Sequence, residues 1–149
     1  MRPVVLDALR QLGDKFRLEW KHYPESTSNP MRWVAAEAAE CANDQGMFWE
    51  MHDRIFEVME AKEGKVEWAD FTTAAEKVGL DMRSFNKCLE SGAKTATVQR
   101  DLAEAQQLGV KSTPLFFINE KPMQSSDILG ELKKALGMET APSATPAGR

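Results

Sequence analysis

The sequence predicts an α/β fold in which a small sheet is interrupted by an all-helical stretch. Three observations predict it. Apolar residues pass from helical spacing to strict alternation at Phe16–His22. Five successive helical stripes then fill residues 34–108. Leu115–Asn119 is a short apolar run, followed by a turn and one last helical stripe. A length of 149 residues suits a single domain with one substantial core.

Each element has its own signal. Pro3 fits a first helical turn and Gly13 a helix stop, and Val5, Leu6, Leu9 and Leu12 recur between them. Phe16, Leu18, Trp20 and His22 alternate with Arg17, Glu19, Lys21 and Tyr23, the pattern of a strand with one inward face. Residues 24–30, from Pro24 to Pro30, read as a loop. Val34, Ala38 and Cys41 share one helix face, stopped at Gly46; Phe48, Met51, Ile55 and Met59 share the next, ending before Gly64. Phe71, Ala74, Ala75 and Val78 make a third helix closed by Gly79. Asp81 caps a fourth, with Met82, Phe85, Cys88 and Leu89 inward and Gly92 at its end. Val98, Leu102, Ala105 and Leu108 form a fifth, stopped by Gly109. The Leu115–Asn119 strand reads as buried on both faces. A turn at Glu120-Lys121-Pro122 follows, then a return strand near Met123. Ser125 or Ser126 is positioned to cap a closing helix through Ile128, Leu129, Leu132 and Leu136, with Gly137 as its stop. Residues 138–149, rich in Ala, Pro, Ser and Thr, read as a disordered tail.

Composition excludes several classes. A net charge of −4 offers no electrostatic footprint for nucleic acid. No apolar run approaches the length of a membrane span, and the first residues lack the hydrophobic region of a signal peptide. The chain as it stands therefore reads as cytoplasmic if complete. Its cysteines, Cys41 and Cys88, and its histidines, His22 and His52, lack the spacing of a metal site, so no metal or cofactor is expected. His22 and His52 read as packed side chains, and Met47, Met51 and Met59 as core.

Four stretches in order carry a resemblance. They are Phe16-Arg17-Leu18-Glu19-Trp20-Lys21-His22-Tyr23-Pro24; Ala38-Ala39-Glu40-Cys41-Ala42 with Gln45-Gly46-Met47-Phe48-Trp49-Glu50-Met51-His52-Asp53; Phe85-Asn86-Lys87-Cys88-Leu89; and the Gly109–Asn119 segment with its Ser-Thr-Pro. Together they resemble the DsbA-like branch of the thioredoxin superfamily, thiol–disulfide oxidoreductases that carry an all-helical insertion. The resemblance covers residues 1–137, with the insertion at about 30–108. It implies a relative whose first helix is preceded by a strand ending in Cys-x-x-Cys, because a helix N-terminus stabilises a thiolate. That motif and strand are absent here, and Met1 falls where the second turn of that helix would be. A truncated gene model, a cut at an internal Met and a true remnant would all look alike. Glu120 stands where the family usually has Gly after Asn.

The resemblance also assigns roles. Thr113-Pro114 alone would be an ordinary turn. In the family that proline is cis, and the residues beside it hold an extended substrate peptide by short β-augmentation. Thr113 and Pro114 are thus the expected substrate-binding residues, and no residue of this chain is expected to be catalytic. Cys41 and Cys88 read as two buried inert thiols, or, as in some relatives, as a structural disulfide worth roughly 4 kcal/mol in the chain-entropy model. Expected partners are cysteine-containing polypeptides or a redox partner protein. Strand edges left without their family neighbour invite a homo-oligomer. Relatives usually work outside the cytoplasm. A redox-dead binding module is the second reading. A glutathione-transferase-like or isomerase relative, with a serine before residue 1, is the third.

Overall fold

The computed structural model describes residues 2–24, 29–123 and 126–138. Helix dominates: α1 (Arg2–Leu12), α2 (Met31–Asn43), α3 (Phe48–Ala61), α4 (Trp68–Val78), α5 (Met82–Glu90), α6 (Thr95–Gln107) and α7 (Ile128–Ala135). Between α6 and α7 lies a hairpin of β1 (Phe117–Ile118) and β2 (Lys121–Pro122). The chain forms two compact units: a central unit, Lys21–Gly109, and a terminal unit made of Met1–Trp20 with Val110–Arg149.

The central unit is built around α2, which packs against α3, α4, α5 and α6. Ala35, Ala36, Ala38, Ala39 and Ala42 are buried along it, and small side chains let neighbouring helices approach closely. Met51, Phe71 and Phe85 fill the space, fully buried. Local chemistry sets the helix ends. Asn29 Oδ1 accepts the N–H of Met31 at the start of α2. Glu67 and Asp70 form a reciprocal capping box on α4, and Gly79, at φ 89°, ends that helix in the left-handed conformation. Asp81 accepts the N–H of Ser84 at the start of α5, as its position predicts. Gln45 clamps Asp81 from both sides, accepting its N–H and donating to its carbonyl.

In the terminal unit, α1 packs on α7, and α7 packs on β1. Ala8, Leu12, Ile128 and Leu132 form the buried centre, with Phe16, Phe116, Ile118 and Met123 against it.

Four elements differ from the sequence expectation. Residues 16–24 form no strand. Their side chains alternate between less and more exposed as predicted, but alternation specifies faces and not a partner backbone, and none of the described residues pairs with them in a ladder. The expected Leu115–Asn119 strand shrinks to Phe117–Ile118 and is not buried on both faces: Phe116 and Ile118 enter the α1–α7 cluster, while Leu115 is exposed. The turn falls on Asn119-Glu120, with Lys121–Pro122 already in the return strand. The cap of α7 is Asp127, whose side chain accepts the N–H of Gly130; Ser126 does not cap it, and Ser125 lies outside the described residues. From residue 139 onward the expected disordered tail also lies outside them.

Candidate functional site

The hairpin register aims part of the backbone outward. Phe117 pairs with Pro122 and Ile118 with Lys121, and Met123 N–H donates to Phe116 C=O at 2.8 Å. In an antiparallel ladder, bonded and non-bonded pairs alternate, so Phe117 and Pro122 form the non-bonded pair. Pro122 therefore loses no ladder bond. The N–H and C=O of Phe117 face the outer edge of β1, which has no strand partner among the described residues. Lys111, Ser112, Thr113, Pro114 and Leu115 lead into that edge, all exposed, behind a buried Val110. The Thr113–Pro114 peptide bond is cis. The two expected substrate-binding residues thus sit together on an accessible segment continuous with an open strand edge.

The hairpin turn has a local cost. Asn119 and Glu120 both have positive φ, 48° and 67°, as a two-residue type I′ turn requires. Asn tolerates that conformation. Glu at the second position, where Gly is preferred, does not do so freely.

Cys41 and Cys88 are joined as a disulfide between α2 and α5, with Cα atoms 5.9 Å apart. Of the two readings left open, the disulfide is the one found. It leaves the chain's two cysteines without a free thiol.

His22 is buried, and its Nε2–H donates to Glu40 Oε1 at 2.8 Å. That hydrogen bond, against the opposing cost of desolvation, holds the Glu40 carboxyl below its ordinary value. The backbone N–H of His22 donates to the buried Asp101 Oδ2 at 3.1 Å. Lys21 Nζ lies 3.0 Å from Glu104 Oε2 and 3.9 Å from Asp101 Oδ1. This cluster ties residues 21–22 to α6 and α2. His52 is buried too, with its ring 4.7 Å from that of Phe56 and 5.3 Å from that of Trp49. Both histidines are packed side chains, as expected. So are the methionines: Met51 is fully buried, and Met47 and Met59 pack against the same core.

The sequence reading missed Asp101 and Glu37. Asp101 lies on the inward face of α6 between Val98 and Ala105, and Glu37 lies buried on α2, hydrogen-bonded to the Thr95 hydroxyl. A charge on an apolar stripe is the signal that finds both.

Comparison with known proteins agrees with this architecture. The thioredoxin family model matches residues 5–137. The Na(+)/H(+) antiporter NhaA 1 of Salinispora arenicola is 36% identical over 132 residues, covering 87% of this chain and 20% of that protein. NhaA 3 of Salinispora tropica is 36% identical over 103 residues, covering 69% of this chain and 15% of that protein. The Na(+)/H(+) antiporter NhaA of Herminiimonas arsenicoxydans is 33% identical over 120 residues, with 80% and 18% covered. The chain therefore spans about a fifth or less of the length of these relatives. No solved structure matches it. No helix among the described residues is long and apolar enough to cross a membrane. With the family model covering most of its length, the chain belongs to the thioredoxin family.

Proposed function

We propose that the chain is a DsbA-like thioredoxin module, residues 1–137, with an all-helical insertion at about 30–108. Its role is to hold cysteine-bearing polypeptides, or a redox partner protein, beside Thr113 and Pro114 for thiol–disulfide exchange. The observation that carries this reading is the exposed Lys111–Leu115 segment running into an edge of β1 that has no strand partner among the described residues. An extended peptide would add there as a further strand. In the exchange, a thiolate attacks one sulfur of a disulfide and displaces the other as a thiolate. The mixed disulfide is then resolved by a second thiolate, so two electrons pass from the attacking dithiol to the disulfide: the first ends as a disulfide and the second as a dithiol. The sequence has no Cys-x-x-Cys, and its two cysteines are bonded to each other. These residues therefore supply the peptide-holding half of the site and not the attacking thiolate. A disulfide suits an oxidising compartment, which supports an extracytoplasmic setting. The antiporter names of the relatives support a place beside a membrane protein of that kind.

A second reading, a redox-dead module that binds peptides or self-associates through the β1 edge, is favoured by the pairing of both cysteines. The intact mass of the protein from its native source, alkylated with and without reduction, decides between them. A species heavier than 16.7 kDa with two additional alkylatable thiols is the expected result. A 16.7 kDa species whose thiols appear only after reduction, at Cys41 and Cys88, overturns exchange and leaves the binding module.

A further inference from the structure

A cleft of about 210 Å³ lies between α3 and α4, away from the hairpin site in sequence and chemistry. Its floor is Val58, Ala61 and Ala74; its polar lining is Arg54, Lys62, Asp70, Thr73 and Lys77. Three cations thus line the cleft with one carboxylate, and a second carboxylate, Glu57, pairs with Arg54. The lining carboxylate is already satisfied within the protein: Asp70 Oδ1 takes Lys62 Nζ at 2.5 Å, and Asp70 Oδ2 accepts the N–H of Glu67 at 2.8 Å. Arg54 is only partly satisfied. Its Nη1 donates to Glu57 Oε2 at 2.8 Å, while its Nε is buried with no acceptor. A buried guanidinium donor without an acceptor is unusual, since such groups are costly to leave unmatched. Lys77 makes no ion pair among the described residues, and it lies one helical turn from Thr73, so ammonium and hydroxyl share a face of α4.

We propose that this cleft binds a phosphate-class oxyanion. Arg54 lines the cleft from α3 with a guanidinium whose closed-off Nε lacks an acceptor, so ligand binding would turn that edge into the cleft, and Thr73 and Lys77 offer a hydroxyl and an ammonium from α4. The guanidinium fork suits two oxygens of one tetrahedral group. With Lys62 paired to Asp70 and Arg54 to Glu57, Lys77 is the lining cation left without an ion pair among the described residues, and a tetrahedral group has a third oxygen for it where a simple carboxylate has only the two taken by the guanidinium.

The test is a ¹H–¹⁵N titration of the full chain with inorganic phosphate at constant ionic strength, following Arg54 Nε–Hε and the amides of Thr73 and Lys77. Sodium acetate and sodium chloride serve as comparison arms. Saturating shifts with phosphate are expected, at least tenfold weaker in R54Q and at least threefold weaker in K77Q. R54K keeps the charge but loses the fork, and is expected to weaken binding at least fivefold; it also serves if R54Q fails to fold. Shifts that do not saturate, or that chloride reproduces, overturn the site. So does binding unchanged in both R54Q and R54K. Saturation by acetate at lower concentration than phosphate overturns the assignment of ligand class.

Discussion

The central and terminal units differ in how much apolar surface each seals away. In the central unit, buried alanines on α2 bring α3 and α5 close. Met51, Phe71 and Phe85 are sealed among them, and a disulfide ties α2 to α5. In the terminal unit the buried cluster among the described residues is Ala8, Leu12, Ile128 and Leu132. Both units leave large apolar side chains exposed, Val4, Leu6, Leu115 and Leu136 in the terminal one and Trp49, Phe56, Trp68 and Leu108 in the central one. The larger sealed core is thus in the central unit and the thinner one in the terminal unit, which also carries the edge of β1 left unpaired among the described residues, and five variants probe that division.

The largest effect is expected from Phe85→Ala. Emptying a fully buried aromatic site costs about 3–5 kcal/mol, whereas Leu132→Ala, in the thin terminal core, is expected near the low end of the roughly 2–5 kcal/mol range for buried leucines. Urea unfolding of the full chain measures both, and equal losses would break the comparison. Next comes the double variant Cys41→Ala, Cys88→Ala. A loop closed across 47 residues is worth roughly 4 kcal/mol in the chain-entropy model, with about 2–4 kcal/mol typical. Hydrogen exchange should quicken in α2 and α5 and stay unchanged in α1 and α7; acceleration spread evenly over both units would mean that the disulfide does not belong to one of them.

Third is Glu40→Ala, which leaves the buried His22 Nε2 without its acceptor at a cost of about 1–3 kcal/mol. The sign with pH follows from the direction of the shift. The folded Glu40 carboxyl titrates below its ordinary 4.5, so its contribution is complete above that value and is lost as pH falls through the folded one. Stability curves of the native protein and the variant should therefore converge in acid, and curves that stay parallel down to pH 3 would rule this out. The smallest effect is a gain. Glu120→Gly relieves a left-handed glutamate at φ 67° and should add about 0.5–1 kcal/mol, since glycine also loses more freedom on folding. A thermal melt that falls instead would show that the glutamate side chain stabilises the turn.

The helices were legible because each carries its pattern locally. The Phe71–Val78 stripe ends at Gly79, and Asp81 stands where a cap must stand. Strands were less legible because a ladder depends on a second backbone that the strand's own residues do not encode. Phe16–His22 keeps its alternation and still pairs with no strand among the described residues. For the cap of α7 the sequence reading offered Ser125 or Ser126 and passed over Asp127, and the signal that points to Asp127 is Gly130: a Cβ there would meet Asp127 Oδ2 at 2.2 Å, so only glycine leaves room for that carboxylate. Thr113 and Pro114 were readable through their resemblance to a family segment. The Arg54–Lys77 cleft was not, because it arises only where two helices pack, 23 residues apart in sequence.

The contacts of His22 with Asp101, and of Lys21 with Glu104, place the first and last stretches of the central unit side by side. A segment whose two ends meet needs little from the chain on either side of it, and such segments tolerate transfer and permutation. The helical unit therefore closes on itself, its entry at residues 21–22 stapled to its last helix by side-chain contacts.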